Sequence, residues 1–393
     1  MRWLQDLLAT THPSHTETFN PLRPATGLDI GAGASCIYSL LACASAPGWR
    51  MHATDIDAHS LLHAQRNVDA NEAVVGSRIK LHRSASAQEP LIPLEKLGVD
   101  RLDFVMCNPP FYSSPEDMAS AYGSKAMPPS AVCTGSTNEM ICSGGDIGFV
   151  GRILDESLRL RGRVQWYSSM LGRLASVQML VARLRENGIA NFAVTNLKAG
   201  RKTRRWAVAW SFGDLRPGNG VARHGEVVQG VVPMATEWTV SVGGTGDAGA
   251  SVDELGEKVN AVLGDLDLRW HWRAPIHTGV AFARENVWSR SARRKRKFQQ
   301  QQRGEKEARE GGEEKEEEED RDSKSSSSED EEPVALAVKI VCGPGRVDIR
   351  WLRGTDFTLW ESFCGMMKRA LGAREQASTA TTAAGVDRRM IKD

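Results

Sequence analysis

Residues 26–45 read TGLDIGAGASCIYSLLACAS, and this stretch decides the fold. An apolar run ends just after Asp29, two glycines follow at Gly31 and Gly33, and a segment of small apolar residues comes next. That order predicts a strand, a glycine turn that brings the backbone close to a ligand, and a helix. A dinucleotide-binding fingerprint requires another glycine where Cys36 stands, so an NAD site is disfavoured. A tight turn without a ligand is the alternative.

Beyond this stretch, strand-like and helix-like segments alternate up to residue 212. Helices of ten or more residues between strands predict a parallel sheet with helices on both faces. The last two strand-like segments have no helix between them and are expected to pair antiparallel at an edge. The predicted fold class is α/β with a seven-stranded, mostly parallel sheet. Its strands are TGLDIG (26–31), WRMHATDID (49–57), RIKLHRS (78–84), RLDFVMC (101–107), RVQWYSSML (163–171), NFAVTNLK (191–198) and RWAVAWSF (205–212).

The composition is that of a globular chain with nearly balanced charge. The 393 residues are enough for two domains, and 50 Lys and Arg residues nearly cancel 49 Asp and Glu residues. Seven cysteines occur without a CxxC pair, which predicts free thiols in a reducing compartment. No apolar run reaches the roughly 18 residues that span a bilayer, and no histidine or cysteine spacing is typical of zinc. We therefore expect a soluble intracellular protein without a membrane or metal partner.

A second pattern follows residue 213. Segments with the order β-α-β-β come first, a charged stretch interrupts them, and β-β-α segments follow. The charged stretch contains RRKRK, runs of Gln and Glu, and SKSSSSEDEE, a composition that cannot form a core and predicts disorder. The predicted organisation is a first domain over 1–213, a small α+β domain over 214–290 and 333–371, a disordered insertion over 291–332 and a disordered tail over 372–393.

Two acidic residues close the second predicted strand, in the motif ATDID. The end of this strand is expected beside the glycine turn, where the Asp55 carboxylate can accept hydrogen bonds from both ribose hydroxyls of an adenosine cofactor. Asp57 is the neighbouring candidate. NAD enzymes also place an acid at this point, so the acid alone does not identify the cofactor. The alternative is an N-terminal cap for the helix that begins near Ala58.

The fourth strand ends in CNPPF, with Asn108, Pro109, Pro110 and Phe111. The two prolines fix the direction in which the chain leaves the strand. This aims the Asn108 amide oxygen and the Pro109 carbonyl into the crevice beyond the sheet. Two fixed acceptors suit an exocyclic amine with two N–H donors, and Phe111 offers a face for a flat base. The pattern predicts a direct displacement that relies on positioning, with an ordinary Asn-Pro turn as the alternative.

Together these motifs resemble the methyltransferase-like-16 family, the U6 small nuclear RNA adenosine-N6 methyltransferases, which are related to a bacterial rRNA adenine methyltransferase. The resemblance implies a Rossmann-like class I methyltransferase fold, S-adenosyl-L-methionine as the cofactor, RNA such as U6 snRNA as the partner, and an RNA-binding module in the C-terminal part. It rests on GLDIGAGASCIYSLL, ATDID, DFVMCNPPF, TGSTNEMICSGGDIGFVGRIL, RVQWYSSMLG and GRKTRRWAVAWSF, between residues 3 and 212.

The resemblance also assigns roles to individual residues. Gly31 and Gly33 lie under the methionine part of the cofactor, Asp29 holds its amino group, and Asp55 takes the ribose. Ser84 or Ser86 is expected to contact the adenine ring. The target amine is bound by Asn108, which also borders the cofactor, and by Pro109, while Pro110 shapes the turn and Phe111 stacks on the base.

Further implied features concern RNA. A basic hairpin with Arg201, Lys202, Arg204 and Arg205 is expected to bind RNA phosphates and make binding salt-sensitive. The connection after Tyr112 is expected to gate the substrate. Within that connection, Glu139, Gly144 and Gly145 match the family pattern. The RRKRK run (293–297) indicates a nuclear localisation signal or an RNA-binding arm, so the nucleus is expected, and the cytoplasm remains open.

Three alternatives remain open at this point. An rRNA adenine-N6 methyltransferase and a protein glutamine methyltransferase use the same kind of acceptor pair. A catalytically silent RNA-binding homologue is the third, because the family carries a longer segment before the helix predicted over RWLQDLL (2–8).

Overall fold

The computed structural model describes residues 1–15, 17–123, 140–199, 203–225, 230–242, 250–292, 294–296, 298–299, 301–302 and 333–372. Two β-sheets organise this part of the chain. The larger sheet contains every strand predicted before residue 213 and one short strand that follows it, and the smaller sheet contains the remaining strands.

The larger sheet has eight strands in the order β3-β2-β1-β4-β5-β7-β6-β8. The first five strands in this order are parallel to their neighbours, and β7 is antiparallel to both β5 and β6, as expected for strands joined without a helix. The seven predicted strands are confirmed. Their bounds are β1 Ala25–Ile30, β2 Trp49–Asp55, β3 Ile79–Arg83, β4 Leu102–Cys107, β5 Val164–Leu171, β6 Phe192–Ala199 and β7 Thr203–Trp210.

The eighth strand, β8 (Arg223–His224), corrects the predicted seven-stranded sheet. It pairs parallel with β6, and its His224 ring lies 3.0 Å from the Thr195 hydroxyl. Two residues are too short to give the alternating pattern by which a strand is recognised. Because β8 follows residue 213, the chain returns to the first sheet after the predicted domain boundary. The domain boundaries themselves stay a prediction.

Helices cover both faces of the larger sheet, as a parallel sheet requires. Alternate residues of β4 point to opposite faces: Val105 packs with the buried side chains of α7 and α8, and Phe104 packs with those of α1, α2 and α3. The helices are α1 Arg2–Thr10, α2 Ile37–Ser45, α3 Ala58–Ala70, α4 Glu72–Val75, α5 Leu94–Leu97, α6 Pro115–Gly123, α7 Gly145–Leu160, α8 Leu174–Glu186 and α9 Asn219–Ala222.

The smaller sheet is antiparallel, with the order β10-β11-β12-β13-β9. The predicted β-α-β-β and β-β-α segments are present, and both helices pack on the sheet through one apolar core. Their bounds are β9 Glu237–Ser241, α10 Val252–Gly264, β10 Arg269–Arg273, β11 Thr278–Ala283, β12 Leu336–Gly343, β13 Arg346–Arg353 and α11 Phe357–Leu371.

The first residues of the predicted disordered insertion are helical, which corrects its start. Described residues between 290 and 302 have helical backbone, and residues 303–332 lie outside the described part. The Ser289 hydroxyl accepts a hydrogen bond from the Ala292 N–H, and Trp288 packs edge-on against Phe363. A cap and an aromatic anchor thus start a helix in a segment rich in Arg, Lys and Gln, which are good helix formers.

A buried arginine fastens the segment after β7 to the smaller sheet. The Arg216 guanidinium lies 4.3 Å from the centre of the Trp351 ring, and its Nε donates to the Gly354 carbonyl at 2.8 Å. The Arg216 N–H donates to the Leu352 carbonyl. Glu17, between α1 and β1, forms ion pairs with Lys339 and Arg350 of the same sheet. These contacts hold the two sheets together on two sides.

The close contact between Gly27 of β1 and the Phe104 ring leads to a testable prediction. A Cβ atom on buried Gly27 would overlap the Phe104 ring, whereas a Cβ on Gly162 would meet nothing within 4 Å. Gly27→Ala should therefore lower the free energy of unfolding by roughly 1–3 kcal/mol, because the overpacked ring must shift. Urea unfolding followed by circular dichroism measures this loss, and Gly162→Ala is the matched control. Equal midpoints for the two variants would contradict the packing described here.

Candidate active site

The candidate site lies where β1 and β4 end side by side. The strands are parallel neighbours, and Ile30 pairs with Cys107 in their register. Gly31 therefore follows one strand at the point where Asn108 follows the next, and neighbouring strands lie about 4.8 Å apart. The glycine turn and the double-proline corner, far apart in sequence, share one edge of the sheet.

The glycine turn has the conformation that only glycine adopts easily. Gly31 and Gly33 have φ angles of 70° and 62°. The N–H groups of Gly31 and Ala32 both donate to the Thr54 carbonyl at the end of β2. A Cβ on Gly31 would meet nothing within 4 Å, so the turn borders open space. The predicted turn is thus present and faces open space.

Asp55 braces this turn from the neighbouring strand. One carboxylate oxygen accepts the Gly33 N–H at 2.8 Å, and the other accepts the Asp57 N–H at 2.9 Å. Asp57 instead caps α3 by accepting the N–H groups of His59 and Ser60. The structure therefore separates the two acids: Asp55 braces the glycine turn, and Asp57 has the capping role that was the alternative. The ribose contact of Asp55 stays a prediction.

Asp29 presents a buried acceptor beneath the turn. Its side chain is 1% exposed, and Oδ2 accepts the Ser39 hydroxyl at 3.1 Å. Oδ1 is buried and has no hydrogen-bond partner among the described residues. Burial raises the pKa of this carboxyl to about 7, and the hydrogen bonds from Ser39 only partly offset that effect. Such an acceptor is costly unless a donor completes it.

Asn108 presents a second acceptor of the same kind. Its Oδ1 is buried without a partner among the described residues. Pro109 is buried, while Pro110 and Phe111 are half-buried beyond it. The sequence predicted an amide oxygen aimed into the crevice. The structure shows this oxygen buried and unpaired among the described residues, and its direction toward a ligand stays a prediction.

The Phe111 ring contacts two features that the sequence did not predict. The Arg205 guanidinium carbon lies 4.8 Å from the ring centre, a cation–π distance. Gly172, directly after β5, lies so close that a Cβ there would sit 2.8 Å from Phe111 Cδ1. Arg205 was expected only on an RNA-binding hairpin. The structure places its guanidinium against the Phe111 ring.

The predicted RNA-binding residues divide into described and undescribed positions. Arg204 is exposed and Arg205 is half-buried, both on β7, whereas Arg201 and Lys202 lie outside the described residues. For the adenine contact, the Ser84 N–H donates to the Asp55 carbonyl at 2.8 Å, which puts that residue at the edge of the site. Ser86 uses its hydroxyl to accept the Gln88 N–H.

The predicted gating connection contains α6, where no helix was expected. Ser114, Pro115 and Asp117 give the signal that could have found it, because a serine before proline and an acid starts many helices. The Tyr112 N–H donates to the Met140 carbonyl, and the Cys142 N–H donates to the Tyr112 carbonyl. Both ends of the connection therefore meet at the corner.

The other residues assigned to the predicted gate are two glycines that the structure describes and Glu139, which it does not describe. Gly144 and Gly145 have φ angles of 78° and 61° at the start of α7. Residues 124–139, with Glu139, lie outside the described part.

The described residues contain neither a helix that could span a membrane nor a metal-binding cluster. None of its helices is both long and apolar enough to cross a bilayer. It contains no cluster of three or more His, Cys, Asp or Glu residues able to hold a metal ion.

A glycine turn, an acid after the second strand and an amide acceptor after the fourth share the carboxyl edge of a mostly parallel sheet. With this fold, that edge defines a Rossmann-like methyltransferase. A family of RNA methyltransferases matches residues 1–214, which is more than half of the 393-residue chain. The chain belongs to the methyltransferase-like-16 family of RNA methyltransferases.

Two relatives give the extent of this similarity. The U6 small nuclear RNA (adenine-(43)-N(6))-methyltransferase of Schizosaccharomyces pombe is 32% identical over 384 residues, covering 94% of this chain and 84% of the relative. The human RNA N(6)-adenosine-methyltransferase METTL16 is 37% identical over 216 residues, covering 54% of this chain and 37% of that protein. The chain thus matches most of the yeast relative and about a third of the human one.

Solved structures of the human relative each cover about half of the chain. The human catalytic domain in complex with MAT2A 3'UTR hairpin 1 is 36% identical, with a TM-score of 0.45, covering 54% of this chain and 67% of that one. The N-terminal domain of human METTL16 in complex with SAH is 33% identical, with a TM-score of 0.41, covering 54% of this chain and 68% of that one.

The buried carboxyl predicts a pH dependence of stability. Asp29 has a pKa of about 7 in the folded protein and 3.8 as its ordinary value, so the folded state holds its proton more tightly than the unfolded chain. Stability therefore falls as pH rises from the ordinary pKa to about 7. When the pH rises from about 5 to about 8, the ionisation of this group should lower the free energy of unfolding by roughly 3 kcal/mol. Asp29→Asn should remove that loss.

Chemical unfolding at the two pH values measures the effect as the difference between wild type and variant. Asp100→Asn changes an exposed carboxyl and is the control. A variant with the same pH dependence as wild type would show that Asp29 is not the group responsible.

Proposed function

We propose that the chain is an S-adenosyl-L-methionine-dependent RNA adenosine-N6 methyltransferase that acts on U6 snRNA. The observation that carries the proposal is the unpaired, buried Oδ1 of Asn108, held beside the glycine turn. An acceptor with this placement is stabilised by the N–H of an amine. The printed activity of the S. pombe relative supports adenine N6 as that amine and U6 snRNA as the substrate.

The residues at the carboxyl edge fit an adenosylmethionine cofactor. The Oδ1 of Asp29 is the buried acceptor available to the cofactor's ammonium group, and the open space above Gly31 admits its methionine part. The Asp55 carboxylate borders the same space and can accept the ribose hydroxyls, since each oxygen has a free lone pair beside its present bond. The cofactor supplies an electrophilic methyl group bound to a sulfonium sulfur.

Asn108 and Pro109 orient the attacking amine. The Asn108 amide oxygen and the Pro109 carbonyl accept its two N–H groups, which turns the nitrogen lone pair away from the ring and toward the glycine turn. Because the two prolines fix the backbone at this corner, both acceptors are already oriented before the base binds. The nitrogen gives up one proton to solvent after it gains the methyl group. No side chain has to act as a strong base.

Phe111 and Arg205 form the platform for the target base. The ring supplies an apolar face, and the guanidinium above it supplies positive charge next to the RNA backbone. Stacking on an aromatic side chain is worth about 1–3 kcal/mol per base. Stacking on Phe111 therefore offsets part of the free energy that is needed to take the target base out of its stack in the RNA.

The nucleus is the compartment that fits a U6 snRNA substrate, which is the printed substrate of the S. pombe relative. The basic run at 293–297 is consistent with nuclear import. Arg294, Lys295 and Arg296 of this run are described and helical.

Asn108→Ala should abolish methyl transfer while cofactor binding stays close to wild type. The change removes the acceptor that orients the amine, so the single-turnover rate should fall by roughly a hundredfold or more. Transfer of a labelled methyl group to U6 snRNA measures the rate, and calorimetry measures cofactor affinity. The control is Asn187→Ala, an exposed amide at the end of α8. Retained transfer in Asn108→Ala would refute the role assigned to this residue.

Arg205→Ala should weaken RNA binding and flatten its salt dependence. Losing one phosphate contact reduces the slope of log affinity against log salt by about one. Fluorescence anisotropy with labelled U6 snRNA over a salt series gives the slope. Arg159 is exposed at the opposite edge of the sheet, so Arg159→Ala removes the same charge without touching the site. Identical slopes for the two variants would count against an RNA contact by Arg205.

A further inference from the structure

Helix α7 carries two buried carboxylates that the methyl transfer itself does not use. Asp146, in its first turn, is 3% exposed, and Glu156, ten residues later, is 7% exposed. Each accepts backbone N–H groups from a loop outside the helix. Glu156 holds the N–H groups of Leu91 and Ile92 at 2.8 Å and 2.9 Å, in the loop after β3. Asp146 holds the turn after β5.

The Asp146 carboxylate makes a short, specific set of hydrogen bonds. Oδ2 accepts the Gly172 N–H at 2.7 Å, and Oδ1 accepts the Ser176 hydroxyl at 2.7 Å and the Ile147 N–H at 2.7 Å. An acid in the first turn of a helix is favoured by the helix dipole, but the dipole requires neither burial nor a bond to another loop. The bond to Gly172 therefore points to a further role.

Gly172 is the residue that touches the base platform. A Cβ at this position would lie 2.8 Å from Phe111 Cδ1 and 3.4 Å from Asp146 Oδ2. The turn thus fits between the carboxylate and the aromatic ring, with room for hydrogen only. Any shift of the turn is passed to Phe111, because the contact is already close.

The segment before α7 reinforces the same arrangement. The Tyr112 N–H donates to the Met140 carbonyl, and the Cys142 N–H donates to the Tyr112 carbonyl. On the other side, the Arg173 guanidinium pairs with Asp117 at 2.6 Å. Hydrogen bonds and an ion pair therefore join the segments that flank Phe111 and Gly172, around Asp146.

We propose that Asp146 is a positioning residue for the target base, which acts by fixing the Gly172 turn against the Phe111 ring. The inference rests on the proposed function and extends it. Asp146 does not contact the reacting atoms. Its effect on the reaction passes entirely through Phe111.

Asp146→Ala and Glu156→Ala form a matched pair for the test. Each removes a buried carboxylate from the same helix and leaves backbone N–H groups without an acceptor, so both should lower the melting temperature. Hydrogen exchange distinguishes them: the Gly172 amide should exchange faster in Asp146→Ala, and the Leu91 and Ile92 amides should exchange faster in Glu156→Ala. Unchanged exchange at Gly172 in Asp146→Ala would overturn the proposal.

Single-turnover transfer to U6 snRNA at saturating cofactor gives the functional readout. Asp146→Ala should slow transfer by roughly ten- to a hundredfold, as expected for a misplaced reacting group, while cofactor affinity stays unchanged. Asp146→Asn keeps one oxygen able to face Gly172 and should recover part of the rate. Glu156→Ala should transfer at the wild-type rate under these conditions. An equal loss in Glu156→Ala would mean a general loss of helix packing and would overturn the proposal.

A double-mutant cycle with Phe111→Ala tests the route of the effect. If Asp146 acts through the ring, Asp146→Ala should add nothing to the loss already caused by Phe111→Ala. Losses that multiply would mean that Asp146 acts by another path. Gly172→Ala perturbs the same contact with the carboxylate intact and should behave like Asp146→Ala, with Gly162→Ala as its control. If Asp146→Ala does not fold, Gly172→Ala still tests the proposal.

The outcomes separate this inference from the function it rests on. A wild-type protein that transfers no methyl group to RNA would refute the proposed function, and hydrogen exchange would still decide whether Asp146 fixes the turn. An active wild type with an equally active Asp146→Ala would refute only the inference.

Discussion

The parallel pairing of β1 with β4 is the constraint on which the site depends. Backbone hydrogen bonds fix Ile30 opposite Cys107, and that register alone brings the glycine turn and the double-proline corner to the same point of the edge. A slip of one residue would turn every side chain of β4 to the other face. The apolar alternation of β4, with Val105 on one face and Phe104 on the other, prevents such a slip. Packing in the core thus sets the geometry of the crevice.

Two hydrogen-bond acceptors at this edge are buried without a donor among the described residues, which is energetically unfavourable. The free oxygens of Asp29 and Asn108 are buried without partners among the described residues, and each such atom costs about 1–3 kcal/mol. The raised pKa of Asp29 has the same origin, because burial disfavours its charged form. A ligand that donates hydrogen bonds to these oxygens removes the cost. Under the proposed function, the amine of the target base and the ammonium group of the cofactor would donate these hydrogen bonds.

The sequence predicted those parts of the molecule whose signal is local. Strand and helix periods located the seven long strands, and the glycine and proline motifs located Gly31, Gly33 and Asn108. The resemblance had selected Asp55 over Asp57. The hydrogen bonds that make Asp55 a brace for the glycine turn and Asp57 a helix cap needed coordinates, because both carboxylates stand at the same strand end. The two-residue β8 was too short for any periodic signal.

Contacts between distant residues account for the rest. Arg205 lies over Phe111, and Gly172 fits between Phe111 and Asp146, although nothing in their local sequence links them. Arg216 under Trp351 joins the two sheets in the same way. The Arg205 contact depends on the strand order, with β7 beside β5, which hydrophobic periodicity does not specify. Side-chain function at this site is thus largely a consequence of topology.

The most direct measurement incubates the protein with labelled S-adenosyl-L-methionine and total cellular RNA, then identifies the labelled nucleoside and its position by mass spectrometry. The account predicts label on adenosine N6, concentrated in U6 snRNA. Label on another nucleoside, label spread over other RNAs but absent from U6 snRNA, or no label at all would contradict it.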